Sequence, residues 1–175
     1  MYIGDYLGRR TVYSPDALAI VDAGKTPELR LTYIQMNDRA NRLAQALASI
    51  GVGKGDRVAI LALDGVEHLD LLFACGKLGA IHTALNWRLH WREVQQILAD
   101  VTPTVLLYDD TLKDSVAELA RAGTSVRHWI HLDGIGISGS RHYGDLLDAA
   151  PATPCRCESL VEEDIAAIVF TGGTT

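Results

Sequence analysis

No stretch of this sequence stays apolar for the roughly 18–20 residues that a helix needs to cross a bilayer. The longest candidate, Val58–Leu63, ends at Asp64. Basic runs and basic–aromatic stripes are missing too, and the net charge is −6, from sixteen basic and twenty-two acidic residues. Nucleic acid is therefore not an expected partner, because binding to its backbone relies on clustered Lys and Arg. The mild acidity favours solubility. An anionic ligand would have to be held by local backbone donors and selected cations, not by a global field.

Cysteine is scarce, with three residues in 175. Cys75 lies in an apolar, helix-like run and reads as a small buried side chain. Cys155 and Cys157 form a C-x-C pair with no second Cys/His pair at zinc-site spacing, so a loop with two reduced thiols is expected. Arg9-Arg10 is followed by Pro15, Asp16 and Asp22 instead of an apolar region, which argues against a twin-arginine export signal. The expected compartment is the cytoplasm. Internal repeats, low-complexity tracts and a Walker loop are also absent.

What is present is an ordinary globular composition, 48 % hydrophobic and 22 % charged, enough to bury a core. Leu29–Leu31 reads as a short strand. Thr32 and Gln35 then give the T-x-x-Q pattern of a capping box. Met36, Ala40, Leu43, Ala44, Leu47 and Ile50 follow at helical spacing, and Gly51 sits where a left-handed C-cap belongs. Arg57–Leu63 is a near-continuous apolar run, which suits a strand buried on both faces. Val66–Leu78 reads as a helix with Leu69, Leu72, Phe73 and Gly76 on one side, and Ile81–Leu85 as a strand.

The alternation continues. An amphipathic helix begins near His90 and is stopped by Pro103. Thr104–Tyr108 is a strand, Leu112–Gly123 a helix and Val126–Leu132 a strand. Gly134–Pro154 breaks the rhythm and reads as a surface connection containing a short helical stretch, Asp145–Ala150. Glu158–Asp164 is acidic and could begin a helical turn. Ile165–Phe170 is a strand running straight into Thr171-Gly172-Gly173-Thr174-Thr175. The β-α order argues for an α/β layer architecture with a largely parallel sheet flanked by helices.

That closing turn is the most chemically informative segment. Glycines let the backbone approach an anion and point successive N–H groups at it. Thr171, Thr174 and Thr175 add hydroxyl donors. By itself such a turn is more commonly a plain strand ending than a phosphate site.

Its context carries a resemblance. Asp164–Thr175 resembles the strand and first half of the phosphate-binding signature of AMP-forming adenylating enzymes, which continues as G-x-P-K-G. Leu31-Thr32-Tyr33 with the Asn37–Leu47 helix, Gly53-Lys-Gly-Asp-Arg-Val58, and Lys77-Leu-Gly-Ala80 through Ala84-Leu-Asn-Trp-Arg-Leu89 resemble further segments of that family, in order and at matching spacing. The Asn86–Leu89 stretch is more similar to acyl-CoA and aryl-CoA synthetases than to peptide-synthetase adenylation domains.

The resemblance implies that residues 1–175 are the N-terminal segment of the large N-terminal domain of an acyl-CoA synthetase. The fold would be an incomplete part of the adenylate-forming architecture, with the rest of that domain and the C-terminal domain absent. It implies a carboxylic acid substrate with ATP, Mg2+ and CoA as cofactors of the full-length protein. Thr171, Gly172, Gly173, Thr174 and Thr175 would orient the β- and γ-phosphates of ATP. No catalytic or metal-binding residue is assigned, and the segment alone is expected to be inactive. A partial sheet would leave an edge through which copies could associate. The alternative reading is a stand-alone truncated product that acts as a non-catalytic binding or oligomerisation module.

Other motifs yield to plainer readings. Gly134-x-Gly136-x-x-Gly139 matches a dinucleotide fingerprint in letters, but Ser140–Gly144 stands where a helix should open, so a mobile loop is expected. Six histidines form no metal motif, and His128 and His131 on a strand would face opposite ways. Trp87 and Trp91 are expected to pack on a helix at four-residue spacing. For Arg88, a structural salt bridge competes with a phosphate contact.

Overall fold

A computed structural model describes residues 4–170 of the chain. Helix α1 (Tyr6–Tyr13) leads into an antiparallel hairpin of β1 (Leu18–Asp22) and β2 (Leu29–Thr32). Then follow α2 (Tyr33–Ser49), β3 (Arg57–Leu61), α3 (Val66–Leu78), β4 (Ile81–Ala84), α4 (Trp91–Val101) and β5 (Val105–Tyr108). A 3-10 turn (Asp110–Leu112), α5 (Lys113–Ala122), β6 (His128–His131), β7 (Arg141–His142), α6 (Tyr143–Ala149) and β8 (Ala167–Val169) complete the order.

Six strands form one sheet in the order β7-β6-β5-β3-β4-β8, and every pairing in it is parallel. Side chains alternate across it. Val58 and Ile60 of β3, with Val105 and Leu107 of β5, share a core with α2, α3 and α6. Ala59 and Leu61, with Leu106 and Tyr108, face α4 and α5. The two central strands are covered on both sides, which explains their unbroken apolar sequence. α1 lies outside this sandwich, with Leu7 packed on Met36 and Ala40 of α2.

The punctuation follows the sequence closely. Thr32 Oγ1 accepts the Gln35 N–H and the Gln35 side chain accepts the Thr32 N–H, closing the capping box of α2. Gly79 ends α3 in the left-handed region at φ 69°, where a Cβ is unfavourable.

Four readings change. α1 and β1, which carry little periodic apolar pattern, are additional elements. β7 is a two-residue edge strand within the surface connection. Glu158–Asp164 forms turns with no helix. On α3 the buried residues are Val66, Asp70, Leu71, Ala74, Cys75, Lys77 and Leu78, whereas Leu72 is 38 % exposed. Apolar residues surround that helix, so periodicity selects no single face, and two buried ionic groups decide the matter. Lys77 Nζ lies 2.5 Å from Asp5 Oδ1 and 2.9 Å from Asn37 Oδ1, and Asp70 pairs with Arg39.

Candidate functional site

In an open parallel sheet the carboxyl ends of the strands are where ligands bind, because loops leave there towards both layers. β8 joins the sheet beside β4 with His82 opposite Ala167, Thr83 opposite Ile168 and Ala84 opposite Val169. It therefore points its carboxyl end the same way as β3, β4 and β5. The proposed phosphate turn, Thr171, Gly172, Gly173, Thr174 and Thr175, lies outside the described residues. What the structure supplies is the strand that leads into it.

Beside that strand end runs Leu85–Leu89. Leu85 leaves β4 with its N–H on Ile60 O at 2.9 Å. The Asn86 side chain then accepts the Arg88 N–H at 3.0 Å, and the Leu89 N–H reaches Asn86 O at 3.2 Å. Asn86 is thus the residue that bends this turn. Arg88 stacks on the Trp87 ring, 4.2 Å from its centroid, so its contact here is cation–π instead of a salt bridge. Trp87 belongs to the turn and only Trp91 to α4, because His90 caps that helix; both rings pack on the α4/α5 core. The turn and the β8 end are brought to the same rim of the sheet by the Ala84–Val169 pairing, although 84 and 169 are far apart in sequence.

A second polar group lies along this rim, at the ends of β3 and β5. The Leu63 N–H donates to Asp109 Oδ2 at 2.5 Å. Asp22 reaches from the hairpin and accepts the Val66 N–H at the start of α3 at 3.0 Å, while Lys25 pairs with Glu67 at 2.9 Å. Burial pushes the Asp109 carboxyl above its usual range, and Asp133 and Glu67 push it further. Among the described residues, no three His, Cys, Asp or Glu side chains converge as a metal site.

Two cavities lie elsewhere. One of about 370 Å³, mostly apolar, sits at the amino end of the sheet among Phe73, Gly76, Gly79, Leu160 and Ile165. Another of about 340 Å³ lies between α1, α2 and Arg156. Neither borders the end of β8.

The remaining motifs are structural. Gly134, Gly136 and Gly139 all have positive φ, and the loop is tied down by Gly136 N–H to Asp110 Oδ1 (2.9 Å) and Ile137 N–H to the Tyr108 hydroxyl (2.7 Å). Those donors face the protein and not a ligand. His131 Nδ1, at the end of β6, meets Ser140 Oγ of that loop at 2.9 Å. Cys75, Cys155 and Cys157 form no disulfide, and burial pushes the Cys75 thiol up, away from reactivity.

Comparison with known proteins agrees with this geometry. The model of the AMP-binding enzyme family matches residues 9–175. The chain is 34 % identical to the long-chain-fatty-acid–CoA ligase FadD13 of Mycobacterium tuberculosis over 99 % of its own length and 33 % of the relative's. It is 39 % identical to a feruloyl-CoA synthase of an Amycolatopsis species over 71 % of this chain and 24 % of that one. The inhibitor-bound N-terminal domain of FACL13 from Mycobacterium tuberculosis superposes with a TM-score of 0.86 at 32 % identity, covering 99 % of this chain and 42 % of that domain. The chain thus spans about a third of the length of FadD13.

Proposed function

The chain belongs to the AMP-binding enzyme family, and from that premise we propose that it is the N-terminal part of an ATP-dependent, AMP-forming acyl- or aryl-CoA synthetase. The observation that carries the reading is the placement of β8: a parallel strand whose carboxyl end lies at the rim where open sheets bind ligands, directly before the glycine- and threonine-rich sequence 171–175.

The donor set suits triphosphate. Thr171, Thr174 and Thr175 offer hydroxyls, and Gly172 and Gly173 offer unobstructed N–H groups. Hydrogen bonds from such donors to charged oxygens are roughly twice as strong as neutral ones. Their task would be to orient the β- and γ-phosphates and offset charge repulsion as a carboxylate approaches the α-phosphate. Mg2+ would supply further charge neutralisation, and CoA the thiol that accepts the acyl group. No residue of this segment is assigned to either. The segment alone is expected not to form acyl-adenylate.

The test is ATP–pyrophosphate exchange in the longer protein that carries this segment, supplied with fatty and aryl acids. Replacing Thr174 and Thr175 together by Ala should lower exchange by about two orders of magnitude, as loss of positioned charge-stabilising donors does. Exchange at the wild-type rate would remove the role.

A second reading rests on the exposed flank of β8, where Ile165, Val169 and Phe170 are 61 %, 70 % and 41 % exposed beside an unpaired strand edge. Such an edge can pair with another chain, so the 175-residue segment would self-associate through it. Sedimentation showing a monomer at high micromolar concentration would refute this.

A further inference from the structure

Resting on the phosphate-turn reading above, we propose that Lys54 is a positioning residue: its ammonium group fixes where β8 begins along the sheet, and hence where the strand delivers the turn that starts at Thr171. The strand's own pairing holds it only weakly in register. β8 has three residues, paired on one side only, with one further bond from the His82 N–H to Ala166 O at 3.1 Å. Strand register is normally enforced by burial of one face, since a one-residue slip turns every side chain over. Here Ala167 and Val169 are exposed and Ile168 is half-buried, so a slip meets little hydrophobic penalty. Such a slip would move the strand end by about 3.3 Å, enough to break any hydrogen bond to a phosphate oxygen.

Lys54 supplies the missing reference point. Its Nζ donates to Ser159 O at 2.6 Å and pairs with Asp164 Oδ2 at 2.7 Å. The same carboxylate oxygen accepts the Val161 N–H at 2.7 Å, while the Asp164 N–H returns to Val161 O at 3.2 Å. One ammonium thus holds both ends of the turn that enters β8. The Asp164 carboxyl is held below its usual range by the Lys54 hydrogen bond first and the Val161 N–H second.

Lys54 is itself mounted on a stiff corner. Gly53 N–H donates to Asp56 Oδ2 at 2.9 Å, Gly55 N–H to Gly79 O at 2.9 Å, and Ile81 N–H to Asp56 O at 2.7 Å. Arg57 adds bonds to Val101 O at 2.9 Å and Thr102 O at 2.8 Å, at the end of α4. The corner is therefore bound to the first residue of β4, the partner of β8. Lys54 measures the start of β8 against the start of the strand with which it must stay in register. This gives the Gly53–Val58 motif a purpose that its distance from the phosphate turn conceals.

Partly exposed ion pairs contribute little to global stability, yet they can dominate the local opening of a weak edge. Hydrogen exchange on the 175-residue chain separates the two. Lys54→Ala should speed exchange of the amides of residues 166–170 by about three- to tenfold, leave those of β3 and β5 unchanged, and be largely rescued by Lys54→Arg. Unchanged exchange at 166–170, or equal acceleration in β3 and β5, would overturn the proposal. Should Lys54→Ala not fold, Asp164→Asn carries the test, because it removes the ion pair but keeps an acceptor for Val161; the same local signature is expected and its absence is decisive. In the longer protein, Lys54→Ala should raise the KM for ATP more than it lowers kcat. A local exchange change with unaltered KM would overturn the link between the clamp and the turn, while the phosphate-turn reading stands or falls on the Thr174 and Thr175 exchange test.

Discussion

Arg39 of α2 and Asp70 of α3 form a forked ion pair inside the protein, with Nη2 at 2.6 Å and Nε at 3.0 Å from Asp70 Oδ2. Asp70 is fully buried, and the Tyr143 hydroxyl of α6 donates to the same oxygen at 2.7 Å. Burial pushes the Asp70 carboxyl above its usual range, while Arg39 and Tyr143 pull it back. One carboxylate thus joins the three helices that cover one face of the sheet. Arg39→Ala, which strands that charge, should cost about 3–5 kcal/mol. Tyr143→Phe should cost about 1–2 kcal/mol. Urea unfolding of both single variants and the double variant checks the values, and strict additivity would show that the three groups do not act as a unit.

His82 faces α3 from β4, and its ring Nε2 has no partner in the described structure. Burial, with a smaller push from His68, lowers its pKa to about 4. The unfolded chain therefore binds a proton that the folded chain refuses. Stability is fully present above about pH 6.5 and is lost as pH falls towards 4, by about 3 kcal/mol in all. His82→Gln should flatten the dependence of unfolding free energy on pH between 6.5 and 4.5. An unaltered slope would place the titration elsewhere.

Gly79 and Gly51 share a left-handed conformation but differ in surroundings. A Cβ at Gly79 would lie 3.0 Å from Cys157 Sγ, whereas one at Gly51 would meet nothing within 4 Å. Gly51→Ala should cost only the backbone term, about 1–2 kcal/mol. Gly79→Ala should cost more, because the Cys157 side chain must also move. Thermal unfolding of the two variants tests the order.

α3 lacks a cap of its own, since Gly65 has no side chain to offer. Asp22 supplies one from the hairpin by accepting the Val66 N–H. Asp22→Ala should cost about 1 kcal/mol and speed amide exchange at the first turn of α3, with Asp22→Asn largely restoring it. Equal exchange in wild type and Asp22→Ala would mean that the cap is redundant.

Much of this was legible in the residues. The Thr32–Gln35 box, Gly51, Gly79, Pro103 and Gly123 mark helix ends through local chemistry, so they can be read without knowing the fold. α1 escaped because Leu7 is its one buried residue, and a helix anchored by a single apolar side chain has no period to detect. β7 escaped because two residues carry no alternation. The candidate site was legible only as a string: the Asn86–Leu89 turn and the end of β8 share a rim through strand pairing, which leaves no trace in spacing. The Lys54 clamp was read as motif letters alone, since its partners lie 105 residues away or more.

The sequence alone determined the alternation of strands and helices, their caps, the doubly covered character of β3 and β5, and the family. The family rests on motif resemblance; the other features follow from nearest-neighbour sterics and hydrophobic period, which act within a few residues. Tertiary structure decided that β8 returns across the sheet to β4, and that Asp70 and Lys77 are core residues. Strand order depends on pairing energies between distant segments, and a charge can be buried only when its partner arrives, here from 31 residues away for Arg39 and 72 for Asp5.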